Sequence, residues 1–428
     1  MIYQATEITK LTFRVNPPLF LPFYNKWGKN VYHTTEPFSH NPFTIGASST
    51  SGSPVVITEN KFFGFLNESG GEFAFNGSDT LTVTLCPGQE LYYDESCNTY
   101  EEWEKYNKII RQGQEYKPEP FWSALEYCTW VEQAKVWALC DRDQRDVLDE
   151  QFVYDYMEKV KKLGLPKGKL TIDDGWAINA TEDGAYSVGN WEINRTKFPN
   201  FEKLVQDMKS EGFIPGLWFS PFTLTPDSEL AKAHPEIVGT PYSLACNWYN
   251  MKCDEEILRP YYRELFGKYA AMGFMKFKLD ISYGPKDDMI KLLKIMYEEI
   301  KAVNPHIEVE THIPDIFATR YADTVRINDV AYDNDGAWRY ITSGHYVVCK
   351  NSSSDRILNL DHIGTNNPLI TGRAFIEHCD MLLGYAKESG GYPTISYLPD
   401  MFGDEIKAEF AEKINGMYDE NGFRRADI

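Results

Sequence analysis

Cysteine pairs at metal-binding or redox spacing, long apolar runs and a surplus of basic charge are all missing from this sequence. Its eight cysteines (Cys86, Cys97, Cys128, Cys140, Cys246, Cys253, Cys349 and Cys379) include no CxxC pair. Neither a zinc framework nor a disulfide scaffold is therefore indicated, and reduced, mostly structural thiols are expected. No window reaches the ~20 apolar residues that cross a bilayer. Met1-Ile2-Tyr3-Gln4-Ala5-Thr6-Glu7 lacks the basic start and apolar run of an export signal, so a cytoplasmic location without a membrane partner is expected. Lysine and arginine number 43 against 63 aspartates and glutamates, a net charge of −20 that would repel nucleic acid and anionic lipid.

What is present is a large apolar and aromatic complement. The 428 residues are 43% hydrophobic and 14% aromatic, more than one core usually holds, so two domains are expected. Ten Trp and 27 Tyr chiefly fill cores, but flat rings of this kind also stack on the apolar faces of sugars. The texture changes once. Up to about residue 115 the chain is rich in Thr, Ser, Gly, Asn, Pro and Phe. Alternating runs such as Val55-Val56-Ile57-Thr58 and Leu81-Thr82-Val83-Thr84-Leu85 are separated there by turn clusters, Asn67 to Gly71 and Asn76 to Asp79. That pattern predicts a β-sandwich-like domain over residues 1–117, closed by a helical stretch from Glu101 to Gln112.

Beyond Pro118 and Pro120 strands alternate with amphipathic helices. Strands are predicted at Phe121 to Tyr127, Lys169 to Ile172, Phe213 to Phe219, Met275 to Asp280, Ile307 to Glu310, Asp323 to Ile327, Arg356 to Leu360 and Thr394 to Leu398. Helices are predicted at Gln144 to Lys162, Phe201 to Glu211, Glu255 to Ala271, Lys286 to Val303 and Arg373 to Tyr385. Eight strands in roughly 300 residues match a (β/α)8 TIM barrel over residues 118–428, with its active site at the strand C-termini. An open doubly wound sheet is the alternative, but no glycine-rich phosphate loop follows the first strand.

Acids fall where such a barrel places chemistry. Strand two ends in Asp173 and Asp174, strand four in Asp280; strand five leads to Glu310 and His312, strand six to Arg326 and Asp329, strand eight to Asp400. Lys278 shares a strand face with Asp280, and an ammonium there favours the ionised carboxylate, a plausible nucleophile. Of the histidines only His312 is well placed for metal, so no metal and no cofactor are expected. Polyols fit better: paired aspartates accept bonds from adjacent hydroxyls, an indole stacks the ring, and two further carboxyls can cleave a glycoside.

Thr171-Ile172-Asp173-Asp174-Gly175-Trp176, Phe198-Pro199-Asn200, Gly212-Phe213-Ile214-Pro215-Gly216-Leu217-Trp218 and Lys276-Phe277-Lys278-Leu279-Asp280 occur in one order and with a spacing that resemble the barrel of the clan D retaining α-glycosidases, glycoside hydrolase families 36, 31 and 27, which include α-galactosidases. The resemblance covers roughly residues 118–405. It implies that Asp280 is the nucleophile, that Lys278 contacts sugar hydroxyls, that Asp173 and Asp174 hold the far side of the ring, and that Trp176 and Trp218 are pocket walls. The family's acid/base aspartate follows an arginine on strand six, which selects Asp329 after Arg326. A tryptophan five residues downstream instead selects Asp333, before Trp338. The two anchors disagree by four residues; Asp329, nearer the strand end, is preferred. Arg326 and Asp400 are further implied substrate contacts.

The implied substrate is a small oligosaccharide or glycoside. A transglycosylase of the raffinose-synthase kind would keep the same residues, a sugar-binding or regulatory protein on a decayed barrel would tolerate a misplaced acid, and a metal-dependent sugar isomerase would need more His and Glu ligands than are found. The C-terminal β-domain usual in the family is not read in these residues, and the β-region before the barrel is short; exposed barrel surface would then favour homo-oligomers.

Overall fold

The structure, a computed structural model, describes residues 1–16, 54–67, 71–76, 78–112, 116–140, 144–178, 187–243, 247–282, 286–313, 316–327, 338–353, 355–364 and 372–426. Its N-terminal part holds β1 (Ile2–Gln4), β2 (Thr9–Arg14), β3 (Val55–Ile57), β4 (Phe62–Phe65), β5 (Glu72–Phe75), β6 (Thr80–Leu85) and β7 (Glu90–Asp94). They form two antiparallel sheets, ordered β1-β7-β4-β3 and β2-β6-β5. Period-two alternation sends Phe13, Phe73, Leu81, Val83 and Leu85 from one sheet toward Val56, Phe63, Phe65 and Leu91 from the other, and these form one buried cluster. The opposite face of the first sheet is covered by α1 (Thr99–Ile110). Tyr106 of α1 packs on Phe62 and donates to the carbonyl of Phe65 over 2.6 Å. Gly64 permits this approach, since a Cβ there would lie 2.6 Å from the Tyr106 ring.

The rest is a closed parallel barrel of eight strands: β8 (Glu126–Cys128), β9 (Gly168–Ile172), β10 (Phe213–Phe219), then, after an inserted antiparallel sheet of β11 (Thr223–Leu224), β12 (Val238–Ser243) and β13 (Trp248–Met251), β14 (Lys276–Leu279), β15 (Glu308–Thr311), β16 (Thr324–Arg326), β17 (Ile357–Ile363) and β18 (Tyr392–Ile395). β18 pairs back onto β8 and closes the ring. The predicted architecture, a (β/α)8 barrel with a β-rich N-terminal domain, is what the chain adopts. No helix among the described residues is long and apolar enough to cross a membrane.

Several predicted elements differ in extent. The helix expected over residues 144–162 is two, α3 (Gln144–Val147) and α4 (Glu150–Lys162), because Asp149 turns to extended backbone and caps α4, its carboxylate accepting from Phe152 N over 2.8 Å. A helix follows β8 unread, α2 (Trp130–Cys140). Likewise α9 (Trp338–Ser352) follows β16; α5 (Phe201–Ser210), α6 (Glu229–Ala233), α7 (Glu255–Met272), α8 (Lys286–Val303), α10 (Gly372–Ser389) and α11 (Asp404–Met417) complete the α-helices of the described residues. Strand eight lies at residues 392–395 rather than 394–398, and among the described residues between β15 and β16 there is one 3-10 turn, Ala318–Tyr321.

The barrel interior is charged. The pairs Lys276/Lys278 and Glu308/Glu310 alternate with Phe277, Leu279, Val309 and Thr311, so the charges share one face while the residues between them share the other. All four charges are at most 3% exposed. Lys276 Nζ lies 2.5 Å from Glu126 and 2.6 Å from Glu310, Lys169 Nζ 3.1 Å from Glu308, and Asn359 donates to both Glu126 and Glu310 at 3.0 and 2.7 Å. Burial would lower Lys276, but Glu126, Glu310 and Glu308 outweigh it and raise it; Lys169, with less compensation, is brought down to about 8. Such burial is tolerable only because each charge has partners.

Candidate active site

At the C-terminal mouth the adjoining strands β9, β10, β14, β15 and β16 present Asp173, Trp218, Lys278, Asp280, His312 and Arg326. Parallel register sets Trp218 beside Lys278, and Lys278 beside Glu310. Asp280 follows β14 directly, its N–H donating to the Phe219 carbonyl over 2.8 Å. The chain then turns sharply: Ile281 has φ +52°, a left-handed conformation that a β-branched residue adopts only under strain, and its N–H donates back to Asp280 Oδ1 over 2.7 Å.

Asp280 collects donors on both oxygens. Trp218 Nε1 donates to Oδ2 over 2.9 Å; His312 Nδ1 stands 2.6 Å from Oδ1; Arg326 and Lys278 each lie 3.9 Å away. Burial alone would raise this carboxyl, but His312, then Arg326, then Lys278 hold it well below the usual carboxylate range. The sequence assigned the ionising role to Lys278 alone. In the structure the nearest partner of Lys278 is Asp173 Oδ2, at 2.7 Å, and His312 takes the place at Asp280. Lys278 itself is raised, since Asp173 overcomes the lowering by burial.

Asp173 also accepts from the Cys128 thiol over 3.0 Å and from Asp174 N over 2.9 Å. Burial, with Asp173 beside it, pushes the Cys128 thiol far up, so it stays protonated as a donor. Asp174 is held by Arg145 Nε at 2.9 Å. The remaining candidates divide. Trp218 is 3% exposed and bonded to Asp280; Trp176 is 0% exposed, stacked on Phe201, and donates to the Trp218 carbonyl over 2.8 Å, so its ring lies in the core behind Trp218. Arg326 Nη1 is 2.5 Å from Asp361 Oδ1. Both oxygens of Asp400 are taken by lysines, Lys135 at 2.6 Å and Lys159 at 3.0 Å. Asp329 and Asp333 lie outside the described residues.

Three contributors escaped the sequence reading: His312 as a partner of Asp280, Cys128 and Arg145. A signal existed for His312, which stands two residues beyond Glu310 and so shares its strand face. None existed for the others, whose contacts join residues 45 and 29 positions apart. Among the described residues no group of three His, Cys, Asp or Glu side chains is arranged to hold a metal ion.

Residues 147–250 match the family Melibiase. An α-galactosidase of Lactobacillus acidophilus is 36% identical over 81 residues, 19% of this chain and 11% of that protein; one of Geobacillus stearothermophilus is 37% identical over 68 residues, 16% and 9%. The matched segment thus spans about a tenth of the length of these relatives. An α-galactosidase of Thermus thermophilus, solved with p-nitrophenyl α-D-galactopyranoside, superposes over 96% of this chain and 89% of its own with a TM-score of 0.68 at 15% identity, a likeness of fold. The segment 147–250 is thus similar to Melibiase and to α-galactosidases, and the chain as a whole shares the fold of the solved α-galactosidases.

Proposed function

We propose that this protein is a retaining α-glycoside hydrolase acting on α-galactosides, with Asp280 as nucleophile. The observation that carries the reading is Asp280 itself, a carboxylate at a strand C-terminus kept ionised by three cationic or imidazole neighbours and aimed by Trp218 and the Ile281 amide. Asp280 attacks the anomeric carbon while a protonated carboxylic acid, Asp329, or Asp333 in the alternative assignment, protonates the departing oxygen. A water deprotonated by the same group then releases the sugar with retained configuration. That route needs the two carboxyls about 5–5.5 Å apart. Asp173, Asp174 and Lys278 form the polar floor on which the sugar hydroxyls would bind, with Trp218 beside them. Support for galactose comes from the relatives: the Thermus thermophilus enzyme was solved with p-nitrophenyl α-D-galactopyranoside and with stachyose.

The test is a panel of nitrophenyl α- and β-glycosides hydrolysed by wild type and Asp280→Asn with EDTA present throughout. Cleavage of the α-galactoside that vanishes in a folded variant is expected. Full activity in Asp280→Asn would overturn the assignment of the nucleophile, and no cleavage of any glycoside by folded wild type would overturn the hydrolase reading.

A further inference from the structure

His312 belongs to none of the motifs that pointed to the site, yet it makes the shortest polar contact to Asp280, Nδ1 to Oδ1 at 2.6 Å. That a proton lies on Nδ1 follows from the chemistry of its partners. Arg326 Nε lies 2.7 Å from Nε2. Arg326 Nη2 lies 2.9 Å from Nδ1 as well, so the guanidinium does not choose between the two nitrogens; the ionised Asp280 carboxylate, which only accepts, requires a proton on the Nδ1 that faces it at 2.6 Å. Glu310 Oε1 competes for Nε2 from 3.4 Å, a much longer contact, and its Oε2 is committed to Lys276 and Asn359. Arg326 is in turn anchored through Nη1 by Asp361, whose backbone is left-handed at φ +66°.

We propose that His312 is a positioning residue for the nucleophile: an imidazole held by the Arg326–Asp361 pair that donates from Nδ1 to Asp280 Oδ1. Oδ1 then carries two donors, His312 and the Ile281 amide, whereas Oδ2 carries one, Trp218. Oδ2 is therefore the oxygen freer to form the bond to carbon. The groups that face this pair are Lys278 from β14, Glu310 from β15, Arg326 from β16, Asp361 and His362 from β17 and Asp173 after β9. Of these only the imidazole both touches Asp280 and is aimed by a second residue. The inference rests on Asp280 being the nucleophile.

The experiment compares wild type, His312→Phe, His312→Asn and Asp361→Asn in the pH dependence of kcat/KM on p-nitrophenyl α-galactoside, with folding checked by thermal unfolding. Removing a donor from Asp280 raises its carboxyl, so in His312→Phe the acid limb moves up by about one pH unit. kcat falls roughly tenfold or more with KM little changed. His312→Asn places an amide N–H near the position of Nδ1–H and restores the limb and most of the rate; Asp361→Asn, which loosens Arg326, falls between. An unmoved limb in folded His312→Phe, or His312→Asn no better than His312→Phe, overturns the inference while wild-type turnover leaves the hydrolase reading standing. Should His312→Phe fail to fold, the limb in His312→Asn and Asp361→Asn decides: wild-type profiles in both overturn it. A folded wild type that cleaves nothing removes the hydrolase reading and this inference with it.

Discussion

Trp218 reaches across one strand pair to aim Asp280. In register Trp218 stands beside Lys278, two residues short of the aspartate, and its indole N–H covers that offset to donate to Oδ2 over 2.9 Å. Replacing Trp218 by Phe keeps an aromatic wall and deletes the donor. A hydrogen bond to a charged group contributes about 1.5–3 kcal/mol, so kcat/KM on an α-galactoside should fall roughly tenfold to a hundredfold. A rate close to wild type would show that the indole N–H is not used.

The acid/base is separable from the nucleophile by leaving group. Asp329→Asn should lose most activity on an oligosaccharide, whose departing alcohol needs a proton, and much less on a dinitrophenyl galactoside, whose leaving group departs unaided. Azide should speed the variant by replacing the base-activated water. The same pattern in Asp333→Asn, with Asp329→Asn unaffected, would move the role four residues downstream.

Beneath the site, Lys276→Met should leave Glu126 and Glu310 without their shared cation. Breaking a buried pair by removing one partner costs about 3–5 kcal/mol, a large share of a typical total stability. The urea midpoint should drop accordingly, and adding Glu310→Gln should recover part of it. A midpoint unchanged in Lys276→Met would mean that water reaches this layer.

His378 gives a pH dependence of stability. It is buried, accepts from Gly364 N at Nδ1 over 3.2 Å, and burial pulls it down to about 4 from an ordinary 6.5. Between those values the unfolded chain binds a proton that the folded one does not, so stability falls as pH drops from about 6.5 toward 4. The loss approaches about 3 kcal/mol below that window. His378→Asn, which keeps an acceptor oxygen but does not titrate, should show a flatter dependence in urea unfolding across this range. Parallel curves for the two proteins would contradict the account.

Asp400 is a clamp in this geometry. Lys135, Lys159 and Glu132 join it in a network linking the turn after β18 to α2 and α4. Asp400→Asn should therefore lower the thermal midpoint by a few degrees while KM stays within about twofold. A raised KM with an unchanged midpoint would instead support the substrate-contact role that the family resemblance implied.

Much of the architecture was legible locally. The run Phe213–Phe219 and the amphipathic stretch Lys286–Val303 fold over the limits read from their periodicity, because apolar spacing of two or of 3.6 is a property of consecutive residues. Asp149 shows where that reading stops: helical periodicity runs through it, but a side chain that caps the following turn ends one helix and starts another. The insertion of β11, β12 and β13 between a barrel strand and its helix was likewise invisible, since three short strands pair only with each other. Asp173, Trp218, Lys278 and Asp280 were singled out because each stands at or near the end of a strand and carries distinctive chemistry, and the fold brings them within contact of one another.

By itself, then, the sequence determined the barrel and the acids at the C-terminal ends of its strands, which follow from short-range alternation and from motifs within single strands. Only the tertiary structure decided which charge serves which. Closing the sheet brings Lys278 nearer to Asp173 than to Asp280, two residues away on its own strand, and hands Asp280 to His312 from the next strand. Coulombic and hydrogen-bond energies depend on distances of a few ångströms across strands, and those distances exist only after the barrel has closed.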